Sequence, residues 1–254
     1  MKLVKVLCVS ALFLALWLHP SHAQDLRGKW GVGGFVAYNM PMYGFGDRFG
    51  SEVNKWGLNF SYVANPRVTM EVEYHHASLD RGVLETKPFM WGVTKKEYAS
   101  KDVNPDSRYD MKFNSLLLSG MVHFRANRSM EEGSYSPYIV VGAGYYNHDT
   151  VAENILWPGQ TELDAKGAGA GVDANGDILP AVVMQTQQDT RTAVAANVGV
   201  GLEAFLTRTI AIDVRGRYHF ILSELRAYET WQLRKVFPMQ MVDFAAGFKF
   251  YFWD

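Results

Sequence analysis

Residues 239–254 read MQMVDFAAGFKFYFWD, and the alternation within this stretch decides the fold. Side chains on a strand point to opposite faces in turn. One face collects Gln240, Val242, Phe244, Ala246, Phe248, Phe250 and Phe252. The other collects Met239, Met241, Asp243, Ala245, Gly247, Lys249, Tyr251 and Trp253. A soluble strand could turn the phenylalanine stripe inward. Working back along the chain, however, the same apolar stripe recurs against faces carrying many charges, with long polar connections between. That is an inside-out sheet, apolar outside and polar inside, which suits a closed barrel in lipid.

Eight strands are expected. The first covers Trp30–Met40, with Trp30, Val32, Val36 and Tyr38 on one face. The second, Lys55–Ala64, sets Trp56, Leu58, Phe60 and Tyr62 against Lys55, Gly57, Asn59 and Ser61, and Asn65-Pro66 marks a tight turn after it. The third, Arg67–Ser78, sets Val68, Met70, Val72 and Tyr74 against Thr69, Glu71, Glu73 and His75. In the fourth, Met111–Arg125, the alternation weakens, because Phe113, Leu117 and Met121 share the face of Ser115, Ser119, His123 and Arg125. Pro137–His148, Thr190–Leu206 and a segment from Ile210 through Phe220 supply the next three, and the stretch quoted above is the eighth. Several exceed the roughly 9–11 residues that cross a bilayer, so they should project beyond it.

Connection lengths give an orientation. Those after strands two, four and six are short, while Pro41–Asn54, Leu79–Asp110, Asp149–Asp189 and Glu224–Pro238 are long. Outer-membrane barrels divide periplasmic turns from extracellular loops in this way. Aromatic residues fall into two belts: Trp30, Tyr62, Phe124, Phe250 and Phe252 toward the short-turn end, and Tyr38, Trp56, Tyr74, Tyr145 and Tyr218 toward the long-loop end. Interfacial aromatics occupy such positions.

The N-terminus fits export. Lys2 and Lys5 precede an apolar run from Val6 to Leu18, and Ser21-His22-Ala23 offers a small-x-small cleavage site. Residues 1–23 are read as a signal peptide and 24–254 as one barrel domain. The run is too short for a spanning helix. Cys8 is the single cysteine and lies within this leader, so the mature chain has no thiol for a disulfide, a nucleophile or a cysteine metal site. Losing Lys2 and Lys5 takes the formal charge from -1 to -3, which offers no basic field for nucleic acid.

Assigning the polar faces to the lumen gathers Lys55, Glu71, Glu73, Arg125, Arg191, Glu203, Asp213, Arg215, Arg217, Asp243 and Lys249. Buried charges need partners. Strands three and seven oppose each other in an eight-membered ring, so Glu71 and Glu73 should pair across the lumen with Arg215 and Arg217. A barrel this narrow is filled by side chains. The expectation is a plug of ion pairs, with a small selective pore as the alternative.

Other motifs carry less. His75 and His76 face opposite sides and suit no shared metal. His76 and Ser78 share the lipid face at the long-loop end, an arrangement that looks like the His-x-Ser of lipid A deacylase barrels. Asp173-Ala174-Asn175-Gly176-Asp177 resembles the start of a calcium loop, but Ile178 and Met184 stand at the sixth and twelfth positions in place of Gly and Glu. Gly167, Gly169 and Gly171 lack the strand-to-helix setting of a nucleotide site and read as flexibility. No cofactor is expected.

The chain resembles the small outer-membrane β-barrel family, comprising OmpA-type transmembrane domains, OmpX and OmpW. The resemblance rests on Pro137 to Tyr145 (PYIVVGAGY), Gly199 to Leu206 (GVGLEAFL), Ile212 to Tyr218 (IDVRGRY) and the aromatic final strand. It implies an eight-stranded antiparallel up-and-down barrel, insertion by the barrel assembly machinery, and a surrounding of outer-membrane lipid and lipopolysaccharide. That machinery reads a terminal aromatic signal, and here Asp254 follows Trp253. The expected role is structural or surface-interacting, through long extracellular loops that meet an exterior ligand the sequence leaves unknown. A narrow channel for small solutes, hydrophobic ones included, is the second reading, and a lipid A-modifying hydrolase the third.

Overall fold

The computed structural model describes residues 26–79, 89–90, 97–98, 108–125, 129–153, 186–226 and 236–252. The leader with Cys8, the 167–171 glycines, the Asp173–Asp177 stretch, and Trp253 with Asp254 lie outside them.

Eight strands close into one barrel: β1 (Trp30–Met42), β2 (Glu52–Asn65), β3 (Val68–Leu79), β4 (Arg108–His123), β5 (Tyr135–Glu153), β6 (Gln187–Phe205), β7 (Ile210–Ile221) and β8 (Met239–Phe252). Each pairs antiparallel with its neighbours in the chain, and β1 pairs with β8 to complete the ring, Trp30 opposite Phe252 and Met42 opposite Gln240. Closure leaves no barrel edge with unpaired backbone groups, the condition for a sheet to sit in hydrocarbon. Phe89–Met90 and Glu97–Tyr98 form a separate two-residue ribbon.

Turns at one end are tight for local reasons. Asn65 Oδ1 accepts hydrogen bonds from the backbone N–H groups of Arg67 (2.9 Å) and Val68 (3.0 Å), fixing the β2–β3 reversal. Thr207 Oγ1 accepts from Thr209 N (3.3 Å) and Ile210 N (3.1 Å) in the β6–β7 turn. At the opposite end β5 and β6 run on for 19 residues each, longer than a bilayer crossing requires.

Polarity is inverted. Val200 is 63% exposed and Phe248 62%, whereas Arg217 and Lys249 are buried at 1% and 0%. An exterior of Leu58, Val72, Leu118, Val141 and Val198 presents no charge to the middle of the wall. Among the described residues no helix is long and apolar enough to cross a membrane.

The interior departs from the sequence expectation in one important respect: it is not polar throughout. Toward the long-loop end lies an apolar core of Phe45, Phe49, Leu79, Phe113, Leu117 and Met239, among others. Toward the short-turn end Leu26, Val63, Met130, Phe205, Ala211 and Tyr251 form a second. The Pro41–Asn54 connection contributes to the first core instead of projecting outward. After β1 it makes a single helical turn, α1 (Tyr43–Gly46), and buries Phe45 against Phe49 and Phe113, with ring centroids at 5.4 and 6.2 Å.

Candidate functional site: the lumen ion-pair layer

Between the two apolar cores the lumen holds a layer of charge. β3 supplies Glu71 and Glu73, whose alternation places both inward, and β7 supplies Asp213, Arg215 and Arg217 by the same rule. Arg215 Nη1 donates to Glu71 Oε1 at 2.7 Å and to Glu73 Oε2 at 3.3 Å, and Arg217 Nη1 donates to Glu73 Oε2 at 2.7 Å. Strands on opposite walls are thereby tied directly. Arg215 also bonds Asp213 through Nη2.

β8 and β2 complete the layer. Lys249 Nζ lies 2.6 Å from Glu71, 3.0 Å from Asp213 and 3.8 Å from Glu203. Asp243 receives Arg217 through Nε (3.2 Å) and Nη2 (3.1 Å), Lys55 at 2.5 Å, and His219 at 3.0 Å. Neutral donors fill further lone pairs: Ser61 to Glu71 (2.9 Å), Ser119 to Glu73 (2.8 Å), Tyr138 to Asp213 (2.5 Å) and Tyr251 to Glu203 (2.8 Å). Five carboxylates therefore meet four permanent cations, with His75 on Glu73 at 2.9 Å and His219 on Asp243 as the adjoining imidazoles. Such density is tolerable only because each charge is paired, since an unpaired one would keep its full desolvation cost.

Of the eleven charged residues assigned to the lumen, Lys55, Glu71, Glu73, Glu203, Asp213, Arg215, Arg217, Asp243 and Lys249 stand in this layer. Two others do not. Arg125 lies past the end of β4, where alternation no longer applies; it is exposed, its guanidinium 3.9 Å above the Tyr135 ring. Arg191 sits nearer the long-loop end, half-buried, paired with Asp189 at 2.8 Å.

Sequence reasoning missed Phe35 and Tyr138. The Phe35 ring lies 5.5 Å from the Arg217 guanidinium carbon, 5.8 Å from that of Arg215, and edge-on to His75 at 5.1 Å. Both guanidinium groups are within cation–π range of this ring. The available signal was positional, since Phe35 is the large residue on the face of β1 opposite Val36 and Tyr38.

The ten belt residues all lie on the outer face. Trp30 stacks on Phe60 (5.1 Å) and packs on Tyr62 (4.6 Å) at one end, and Trp56 meets Tyr74 (5.9 Å) at the other. His76 and Ser78 are on this face too, but His76 Nδ1 is 2.9 Å from Asn114 Oδ1, which also accepts from the Tyr74 hydroxyl. Imidazole, amide and phenol thus form a polar cluster within the upper belt. Among the described residues no group of three His, Cys, Asp or Glu side chains is arranged to hold a metal ion.

No family model matches the chain, and no curated protein sequence matches it. Its shape is similar to several solved structures. Neisserial surface protein A shares 14% identity at a TM-score of 0.46, covering 91% of this chain and 100% of that one. Ail, the attachment invasion locus protein of Yersinia pestis, shares 14% at 0.42, covering 89% and 99%. The outer membrane protein OprG of Pseudomonas aeruginosa shares 11% at 0.37, covering 90% and 97%. On its own strand number, closure and inverted polarity, the chain is a small eight-stranded antiparallel up-and-down β-barrel with an apolar exterior.

Proposed function

We propose that this protein is an integral barrel of a Gram-negative outer membrane, exported by its leader and inserted by the barrel assembly machinery. Its role is structural or surface-interacting, with the long loops facing outward and the lumen closed. One observation carries the reading: a cross-wall ion-pair layer lies between two apolar cores, so an ion entering from either side meets first hydrocarbon and then charges already paired. The surrounding partners are then outer-membrane lipid and lipopolysaccharide, and the loops are the surface that an extracellular ligand would meet.

A narrow solute passage is the competing reading, and it draws on Asn197. This residue faces the lumen from β6 with neither side-chain Oδ1 nor Nδ2 hydrogen-bonded to protein, a place for water beside the ion pairs. Planar-bilayer recording separates the two. The closed reading expects no steady single-channel conductance from the folded protein. A stable conductance abolished or altered by the pair Glu73→Gln with Arg215→Gln would replace it with the channel reading.

A further inference from the structure

β6 is paired on both sides along only part of its length. β5 runs beside it from Gln187 to Ala204, whereas β7 runs beside it only from Ala195 to Phe205. The last rung toward β7 is Leu222 N donating to Val194 O at 2.9 Å. Past that rung the chain leaves the sheet and turns into the barrel mouth. Ser223 Oγ meets His148 Nε2 at 2.6 Å, and Leu225 joins the apolar core at the long-loop end. Among the described residues no strand takes the place of β7 beside residues 188–193.

The register says which backbone groups this leaves open. Successive residues of a strand direct their N–H and C=O groups to opposite neighbours. Val194 directs its carbonyl toward β7, so Thr192, Thr190 and Gln188 direct theirs to the same side, past the end of β7. Their side chains do not cover this edge. Asn147 Nδ2 donates to Thr192 Oγ1 at 3.0 Å, and Thr190 Oγ1 and Gln188 Nε2 donate to Asp149 Oδ1 at 2.8 and 3.1 Å, so each is held toward β5. The usual guards of an edge are missing too. Residues 187–193 read QQDTRTA, without proline or lysine, and Arg191 is paired with Asp189 at 2.8 Å. Unpaired strand backbone of this kind is a template for another strand.

A groove of about 350 Å³ lies along the edge, lined by Arg191, Thr192, Ala193, Leu222 and Phe237 among others. Its arginines are already matched, Arg191 by Asp189 and Arg226 by Glu224 at 3.5 Å. Leu222 and Phe237 are each about half exposed. The groove therefore offers backbone hydrogen bonds and apolar contact, which fit an extended peptide better than a charged small molecule.

We propose that the open edge of β6 at Gln188, Thr190 and Thr192 is a strand-addition site for an extended segment of an exterior protein, continuing the sheet where β7 leaves it. The segment pairs its backbone with the N–H and C=O groups of these three residues, and one of its apolar side chains packs on Leu222 and Phe237. In strand addition the main chain supplies affinity and the side-chain contacts choose among sequences. The inference rests on the surface-interaction reading, because it places the partner on the long-loop side.

The test uses the full folded chain in lipid nanodiscs, with a ten-residue peptide of alternating valine and threonine carrying a Lys-Lys tail as probe. Amide hydrogen exchange should find Thr190 and Thr192 unprotected in the free protein and protected once the peptide is added. The same peptide with every amide N-methylated should not bind. Thr190→Pro removes an open-side N–H without touching a β5–β6 rung, and edge strands accept proline. It should fold, as heat-modifiable gel migration reports, and weaken peptide binding about tenfold. Thr190→Ala keeps the N–H and should bind as the wild type does. Protection at 190 and 192 without peptide overturns the proposal, because a segment of this chain then covers the edge. Binding of the N-methylated peptide, or equal losses in Thr190→Ala and Thr190→Pro, overturns backbone pairing. A membrane-impermeant maleimide applied to intact cells carrying Gln188→Cys separates the inference from the reading beneath it, and labelling is expected. Labelling only after lysis overturns the outward orientation, whereas labelled cells with no peptide protection overturn the edge site alone.

Discussion

The middle of the lumen and its long-loop rim hold charge at different densities, many partners per group in one and single pairs in the other. In the middle, Glu73 alone engages Arg215, Arg217, His75 and Ser119, and Asp243 engages Lys55, Arg217 and His219. At the rim, Asp189 pairs with Arg191 at 2.8 Å, His148 Nδ1 has no hydrogen-bond partner, and Ser223 borders a groove. Distance from water accounts for the difference. Charges enclosed between two apolar cores must neutralise one another, because nothing else can solvate them. Groups beside an open groove can leave valences unfilled, since solvent or a ligand can reach them. The first arrangement holds walls together, and the second leaves chemistry available.

The largest break in this comparison should come from the middle. Glu73→Gln takes one carboxylate from two arginines, leaving Arg215 with Glu71 and Asp213 and Arg217 with Asp243, and urea unfolding of the reconstituted protein should register a loss of about 3–5 kcal/mol. Adding Arg215→Gln should recover part of that loss, because it removes one of the two cations that lost the Glu73 carboxylate; a double variant worse than additive would contradict the shared layer. Next comes the outer wall. Val214 points outward midway along β7, and Val214→Arg should cost about 2–4 kcal/mol in a bilayer. A change indistinguishable from zero would mean that this face does not meet hydrocarbon.

Smaller again is Gly144→Ala. A Cβ there would stand 2.1 Å from the Leu116 carbonyl oxygen and 2.8 Å from Leu117 Cα, both backbone atoms that cannot swing away. The β4–β5 pairing must shift, and the same unfolding assay should show about 1–3 kcal/mol of destabilisation. The smallest effect belongs to the rim. Ser223→Ala removes one hydrogen bond to His148, so the loss should be about 0.5–1.5 kcal/mol. A loss as large as that of Glu73→Gln would make Ser223 a structural member like those of the middle layer.

Much of this arrangement was legible in the sequence wherever one face of a strand is uniformly greasy and the other charged. β3, β7 and β8 have that form, and the pairing of Glu71 and Glu73 with Arg215 and Arg217 followed from strand order in an eight-membered ring. The apolar interior was harder to see. Phe113, Leu117 and Met121 weaken the alternation of β4, which is what a strand facing lipid outside and a dry core inside must do. Phe45 and Phe49 looked like loop residues because nothing local marks a connection that folds back into the mouth. The assignment of Arg125 failed because β4 ends two residues earlier than its hydrophobic pattern suggests. The rim contact of His148 with Ser223 was invisible because the two come from distant segments and share no motif.

The inverted polarity of the wall can be tested with two nitroxide labels on β8, one at Phe248 and one at Ala245, in reconstituted vesicles. Phe248 is exposed and Ala245 buried at 2%. The account expects lipid-soluble oxygen to relax the label at 248 strongly, with little effect from an aqueous nickel chelate, and the label at 245 to be shielded from oxygen. A label at 248 shielded from oxygen, with 245 the lipid-accessible site, would contradict it.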